Sequence, residues 1–272
     1  MPLTAFQSET LRLLAARRSP ESFLAGGTVL NAAADSPRYS KDVDIFHDLE
    51  ESIVVNAEAD AALLRQSGYQ VAWLLRQPAF QRAEIARAEN RLTIEWVFDS
   101  AFRFFPVERD ALSGWRLNLY DAATNKMLAL MARSEPRDYL DVLFFHQNHL
   151  SLGALCWAAA GKDPGVNPFM ILQESQRNTR FQPEQFRELS VATPLDLPAW
   201  KKTWIEGSRQ AEQLLERLPA DEIGCLYLDA QNRPVTPDPA ASEFPKWRRH
   251  YGSVRGAWPV IRKQSSNPSE KV

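Results

Sequence analysis

The chain has 272 residues, a formal charge of −2 at neutral pH, 44% hydrophobic residues and 24% charged ones. At about 150 residues per domain this allows one large domain or two modest ones, with a core that needs no structural metal. The charge balance excludes a histone-like binder, Cys156 and Cys225 read as free thiols of a reducing cytosol rather than a disulfide framework, and no apolar run approaches the roughly 20 residues of a membrane span.

The first residues, MPLTAFQSETLRLLAARR, carry charges and no uninterrupted apolar core, so they do not read as a secretory signal. Residues 4–17 predict a helix, because Phe6, Thr10, Leu13 and Leu14 fall on one face, and Pro20 ends it. A short buried strand over 23–25 then runs into Gly26-Gly27, a turn expected ahead of a helix over 28–34. A polar loop follows, and Val43, Ile45 and Phe46 make the next piece a strand interleaved with Asp42 and Asp44. Residues 50–66 predict a helix with Gly68 at its C-terminal cap. Strands over 69–75, 80–87 and 91–99 follow as an antiparallel meander, with Glu89-Asn90 turning between the last two.

From Asp121, read as an N-cap, the pattern turns helical as far as Arg133, and Pro136 opens a second helix to about Leu150. Further helices are expected over 151–160, 168–177, 183–189 and 197–218. Residues 225–229 and 233–235 predict a hairpin turned by Gln231-Asn232. The expected organisation is a mixed α/β (α+β) first part over 1–118 and a mostly helical part over 119–263. A polar, disordered tail over 264–272 completes the chain.

The stretch FLAGGTVLNAAADSPRYSKDVDIF carries the most chemistry. Residues two apart on a strand share a face, so Asp42 and Asp44 project side by side while Val43 and Ile45 enter the core. Two carboxylates forced together repel, and a divalent cation such as Mg²⁺ or Mn²⁺ resolves the conflict. The bare backbone of Gly26 and Gly27 lets a phosphate approach main-chain N–H groups, with Thr28 and Ser40 as hydroxyl donors. Taken singly, D-x-D is common and Gly-Gly is usually a turn; their order along the chain points to a nucleotide site. Glu95, in RLTIEWVFDS, is the expected third carboxylate and general base, with Asp99 as second choice. Either also reads as a solvent-facing acid on a half-buried strand.

The stretch DAATNKMLALMARSEPRDYLDVLFF places Lys126, Ala129 and Arg133 on one stripe. Lys126 can reach a triphosphate as a point charge. Arg137, Asp138 and Asp141 either orient Lys126 and Arg133 beside the metal site or form an Arg–Asp network that pins two helices together. Near the end, FPKWRRHYGSVRGAWPVIRK mixes basic and aromatic residues. It suits single-stranded RNA, or a segment that packs its rings on the fold and solvates its charges.

These motifs (FLAGGTVLN, SKDVDIF and TNKMLALMARSEPRDYLD) resemble the AbiEii/AbiGii toxin family of nucleotidyltransferases, within the polymerase β-like superfamily. The resemblance implies a nucleotidyltransferase-like mixed sheet with flanking helices and a helical C-terminal part. It implies Mg²⁺-dependent use of an NTP, RNA as acceptor (a tRNA end in some relatives), and toxicity countered by an antitoxin. By motif match Gly27 and Ser40 lie at the nucleotide, Asp42 and Asp44 hold metal, and Lys126 contacts the triphosphate. Asp138 or Asp141 is the acid of the last motif. The chain departs from the superfamily in having Gly26-Gly27 where Gly-Ser is usual and a glutamate at 95. Two rival readings are a catalytically degenerate module that binds nucleotide or a partner, and a transferase acting on a small molecule or a protein.

Overall fold

The structure is a computed structural model, and it describes residues 3–32, 36–191 and 194–259. The elements run, in chain order, α1 (Ala5–Ala15), β1 (Ser22–Ala25), α2 (Gly26–Leu30), β2 (Asp42–His47), α3 (Ile53–Gln66), β3 (Gln70–Gln77), β4 (Phe80–Arg87), β5 (Asn90–Phe98), β6 (Phe102–Arg103), β7 (Glu108–Asp110) and β8 (Gly114–Arg116). There follow α4 (Leu119–Ala132), α5 (Pro136–Asn148), α6 (Leu152–Ala159), α7 (Pro168–Asn178), α8 (Leu197–Arg217), β9 (Cys225–Leu228), β10 (Arg248–Tyr251) and β11 (Ser253–Val254). The expected residues 33–34 of the second helix, the end of the basic-aromatic stretch over 260–263 and the tail over 264–272 lie outside the described residues.

Seven strands form one mixed sheet in the order β3-β4-β5-β2-β1-β8-β7. The β3–β4–β5 meander is antiparallel, as its alternation and turn predict. β2 lies parallel to β5 and antiparallel to β1, so Asp44 stands level with Glu95 on one side and Ala25 on the other. Val43, Ile45, Ile94 and Trp96 share the opposite face and are fully buried. Trp96 Nε1 donates to Asp60 of α3 at 2.8 Å, which places α3 against that apolar face. The pleat therefore aims the acids of β2 and β5 to one side and the aliphatic core to the other.

Local chemistry sets the helix ends. Thr4 Oγ1 accepts from the Gln7 main-chain N–H and Gln7 returns the bond to Thr4, a capping box that opens α1. Pro136 occupies the first turn of α5. Asp196 caps α8, whose Trp204, Ala211, Leu214 and Leu215 form its buried stripe.

Three local expectations are corrected. α4 is capped by Asn118, whose Oδ1 accepts from Tyr120 N at 2.9 Å. Asp121 is instead a buried acid that accepts from the Phe104 and Phe105 main-chain N–H groups and pairs with Lys162 at 2.8 Å. Gly26 and Gly27 do not precede α2 but form its first turn. The hairpin over 225–235 closes only as a turn with one isolated bridge, Leu228 to Pro234, because proline has no N–H to extend a ladder. β9 pairs along its length with β10. The basic-aromatic stretch packs its rings on the fold: His250 stacks on Phe105 at 4.8 Å, Trp258 lies 5.7 Å from the same ring, and Arg249 pairs with Glu222. β11 then pairs with β6. Both cysteines are buried free thiols, and among the described residues no helix is long and apolar enough to cross a membrane.

Candidate active site

A cleft of about 260 Å³ opens between the acid face of the sheet and the α4–α5 pair. Asp42, Asp44 and Glu95 line one wall; Lys126, Arg133 and Arg137 line the other, with Gly26, Gly27, Arg38 and Ser40 at one end. The glycines are required there. Gly26 has φ +63°, and a Cβ on it would lie 1.8 Å from Asp44 Oδ2. The carboxylate thus sits directly over bare backbone, where no other residue fits. A Cβ on Gly27 would meet the Arg38 guanidinium at 2.9 Å and Ser40 Oγ at 3.3 Å.

The two hydroxyls expected at a phosphate are turned to the backbone. Thr28 Oγ1 and Ser40 Oγ both donate to the Asp42 carbonyl, at 2.8 and 3.0 Å. Ser40 still lines the cleft, but Thr28 is fully buried behind it and serves to fix the start of β2. Asp99 also departs from expectation. It lies in an adjoining pocket with Ser100, Phe102 and Lys162, where Asn125 donates to it at 3.2 Å. Val97, one pleat repeat past Glu95, still lines the cleft, but Asp99, a second repeat on, lies past the end of β5 and beyond it.

The strand acids are under-compensated. Burial first, and then the charges of Glu95 and Asp42, push the Asp44 carboxyl up to about 6, against the opposing pull of Lys126 and Arg137. Asp42 Oδ2 accepts from Arg137 at 3.1 Å. Glu95 is held by Arg82 through two contacts, at 2.8 and 2.5 Å. Among the described residues no three acidic, histidine or cysteine side chains meet as a ready-made metal cage. The donor chemistry nonetheless fits a hard divalent cation at Asp42 and Asp44, since a positive charge there would relieve the repulsion that raises Asp44. Glu95 keeps its place on the same face with Arg82 as its partner.

The helix acids are fully paired. Lys126 Nζ donates to Asp138 at 2.8 Å and lies 3.4 Å from Asp141, while Arg133 Nε donates to Asp138 at 2.7 Å. Burial would raise the Asp138 carboxyl, but Lys126 and Arg133 outweigh it and hold it below the usual range. Asp141 receives both sides of the Arg38 fork, at 2.7 and 2.6 Å, and Asn31 at 3.0 Å. The two readings of this stretch therefore coincide: the network pins α4 to α5 and also presents Lys126 to the cleft. Sequence reasoning missed Arg38, which lies in a loop with no periodicity, and Arg82, whose partner is set by strand pairing. The arginine in SPRYSKDVD, so close to the acid pair, was the available signal for the first.

A mixed sheet carrying a D-x-D strand beside a glycine turn, closed by a lysine-bearing helix, defines a nucleotidyltransferase. The profile of the family described as "Nucleotidyl transferase AbiEii toxin, Type IV TA system" matches residues 12–222, and the chain belongs to this family of toxin–antitoxin enzymes. Among solved structures the chain is similar to MenT4, a nucleotidyltransferase toxin from Mycobacterium tuberculosis H37Rv. The two are 18% identical with a TM-score of 0.59, over 79% of this chain and 83% of that one. It is also similar to JHP933 from Helicobacter pylori, at 16% identity and a TM-score of 0.47, over 76% and 89% of the two chains. No curated protein matches by sequence. The MenT4 likeness bears out the expected fold, and the family match bears out the resemblance read from the motifs.

Proposed function

We propose that the chain moves a nucleoside monophosphate from an NTP onto a hydroxyl of RNA, with a tRNA end as the acceptor, and that a cognate antitoxin counters this in the cell. The observation that carries the reading is the meeting of Asp42, Asp44 and Glu95 on one sheet face across a cleft from Lys126, Arg133 and Arg137. Mg²⁺ or Mn²⁺ on Asp42 and Asp44 would neutralise the charge that develops on the leaving pyrophosphate. Lys126, fixed by Asp138, meets the triphosphate, and Arg133 and Arg137 add charge beside it. The backbone at Gly26 and Gly27 leaves room for phosphate oxygens. Glu95, oriented by Arg82, takes the proton of the attacking hydroxyl as its oxygen bonds to the α-phosphorus and the bond to pyrophosphate breaks. Arg38 and Asp141 hold the loop before β2 against α5 and so keep Ser40 and Asp42 in place.

The experiment incubates the full chain with each labelled NTP, Mg²⁺ and total RNA. The expected result is label on RNA from wild type and none from Asp44→Ala. Label on a protein or a small molecule instead would replace the acceptor. No label on anything, with NTP binding indifferent to Glu95→Gln, would establish the degenerate binding module.

A further inference from the structure

A second and larger cavity, of about 840 Å³, lies across α5 from the cleft. Asp138 faces the cleft's network, and the next residue, Tyr139, turns the other way into this cavity. Its ring lies 5.8 Å from Phe181, 6.1 Å from Phe186 and 5.3 Å, edge-on, from Trp204. A volume of several hundred Å³ with aromatic walls is the ordinary form of a small-molecule site.

One buried polar group of the cavity lacks a partner. Ser208 is only 5% exposed, lines the cavity, and its hydroxyl has no hydrogen-bond partner. A buried hydroxyl left unpaired costs about 1–3 kcal/mol, so it marks a place for a polar ligand atom. Arg180 and Lys201 stand at the rim, exposed, and make no ion pair among the described residues. Their neighbour Arg209 is already held by Glu206 at 2.7 Å. Glu212, the acid on the lining, accepts from Gln176 and lies on the side of α7.

We propose that this cavity binds a nucleotide, its base against the aromatic wall at Phe181 and Phe186, which Tyr139 and Trp204 back, and its phosphate at Arg180 and Lys201. Aromatic faces stack on a flat ring whatever its substituents, and a planar guanidinium and a lysine on the same lining each suit phosphate. An apolar ligand would leave both cations and Ser208 unanswered. A free anion would leave the rings unused.

The cavity is wired to the cleft by main-chain contacts. The chain that leaves Phe186 continues to Ser190, whose carbonyl accepts from Tyr39 N at 2.8 Å, and Val191 bridges to Arg38. Lys41 Nζ donates to the Glu188 carbonyl. An occupant that settles the 181–191 stretch therefore settles the loop bearing Arg38 and Ser40.

The test is calorimetric titration of the full chain with AMP, without divalent cations, alongside adenosine and inorganic phosphate. Saturable AMP binding is expected, with adenosine and phosphate each about tenfold weaker or more, since each lacks one half of the recognition. Arg180→Ala with Lys201→Ala loses about tenfold, as two exposed rim charges are removed from a fold that does not need them. Asp42→Asn, in the cleft, leaves AMP binding unchanged. Hydrogen exchange at the Tyr39 amide slows with AMP in wild type and not in the rim variant. The proposal is overturned if AMP does not saturate, if adenosine equals AMP, or if Asp42→Asn rather than the rim variant loses binding. It is equally overturned if an acidic aromatic peptide binds where AMP does not. The labelled-transfer experiment is read separately, so either result stands without the other.

Discussion

Two pairs of aspartates belong to the same site and are treated in opposite ways: Asp42 and Asp44 line the cleft, while Asp138 and Asp141 lie buried behind it. Asp42 and Asp44 on β2 crowd each other and Glu95, and Asp44 is pushed up to about 6. Asp138 and Asp141 on α5 are buried as well, yet Asp138 is held low, because Lys126, Arg133 and Arg38 already neutralise the pair. The contrast teaches that burial by itself does not mark an acid for chemistry. What distinguishes the strand pair is a shortage of positive charge that the fold leaves for a ligand to supply.

The largest expected effect breaks the strand pair. Asp44→Ala should lower nucleotide transfer by about a thousandfold or more, since it removes the carboxylate that meets both cation and glycine turn. Single-turnover assays on folded protein would measure it, and near-normal transfer would end the assignment. The helix pair should respond in stability as well as in transfer. Asp138→Ala leaves the buried Lys126 with only the longer contact to Asp141 and should cost up to about 3–5 kcal/mol, read by denaturant unfolding at neutral pH.

Next in size, Asp44→Asn should stabilise the metal-free protein at pH 7.5. The folded carboxyl lies at about 6, above its ordinary value, so the folded state holds its proton more tightly than the unfolded one. Stability therefore falls as pH rises from about 4 to 6, by up to about 3 kcal/mol, and the amide escapes that loss. With Mg²⁺ added, wild type should gain melting temperature and the variant should not. Equal gains would place the cation elsewhere.

Gly26→Ala should cost about 1–2 kcal/mol from the left-handed backbone alone, and it should also reduce transfer, because the new methyl meets Asp44. Loss of stability without loss of transfer would separate the turn from the site. The smallest effect is expected at Asp99. Asp99→Asn should leave transfer within about twofold of wild type, because the residue faces another pocket.

Much of this site was legible because its signals are local. The period of two in SKDVDIF puts Asp42 and Asp44 on one face whatever surrounds the strand. Pro136 opens α5 on its own, and the meander follows from alternation and a turn. The misplaced features depend on distant partners. Asp121 looked like a cap until Phe104, Phe105 and Lys162 took its carboxylate. Residues 225–229 read as half of a hairpin until Arg248–Tyr251, far along the chain, offered a full ladder without a proline. Arg38 gave no periodic signal, because its role exists only once α5 brings Asp141 to it.

The amino-acid order alone determined the strand-borne acid pair, the glycine doublet, the elements from α1 to β5 and the helices α4 to α8, and through its motifs the family; it left the short strands β6, β7, β8, β10 and β11 unread and overextended a helix over 183–189 that is one 3-10 turn. Side-chain alternation and backbone restriction act within a few residues, so one dimension suffices for them. Tertiary structure decided which acids are neutralised and which are left wanting, that Glu95 belongs to Arg82, that Asp99 turns away, and that a second aromatic cavity lies behind α5. Charge compensation falls steeply with distance and depends on burial, and both are properties of neighbours in space.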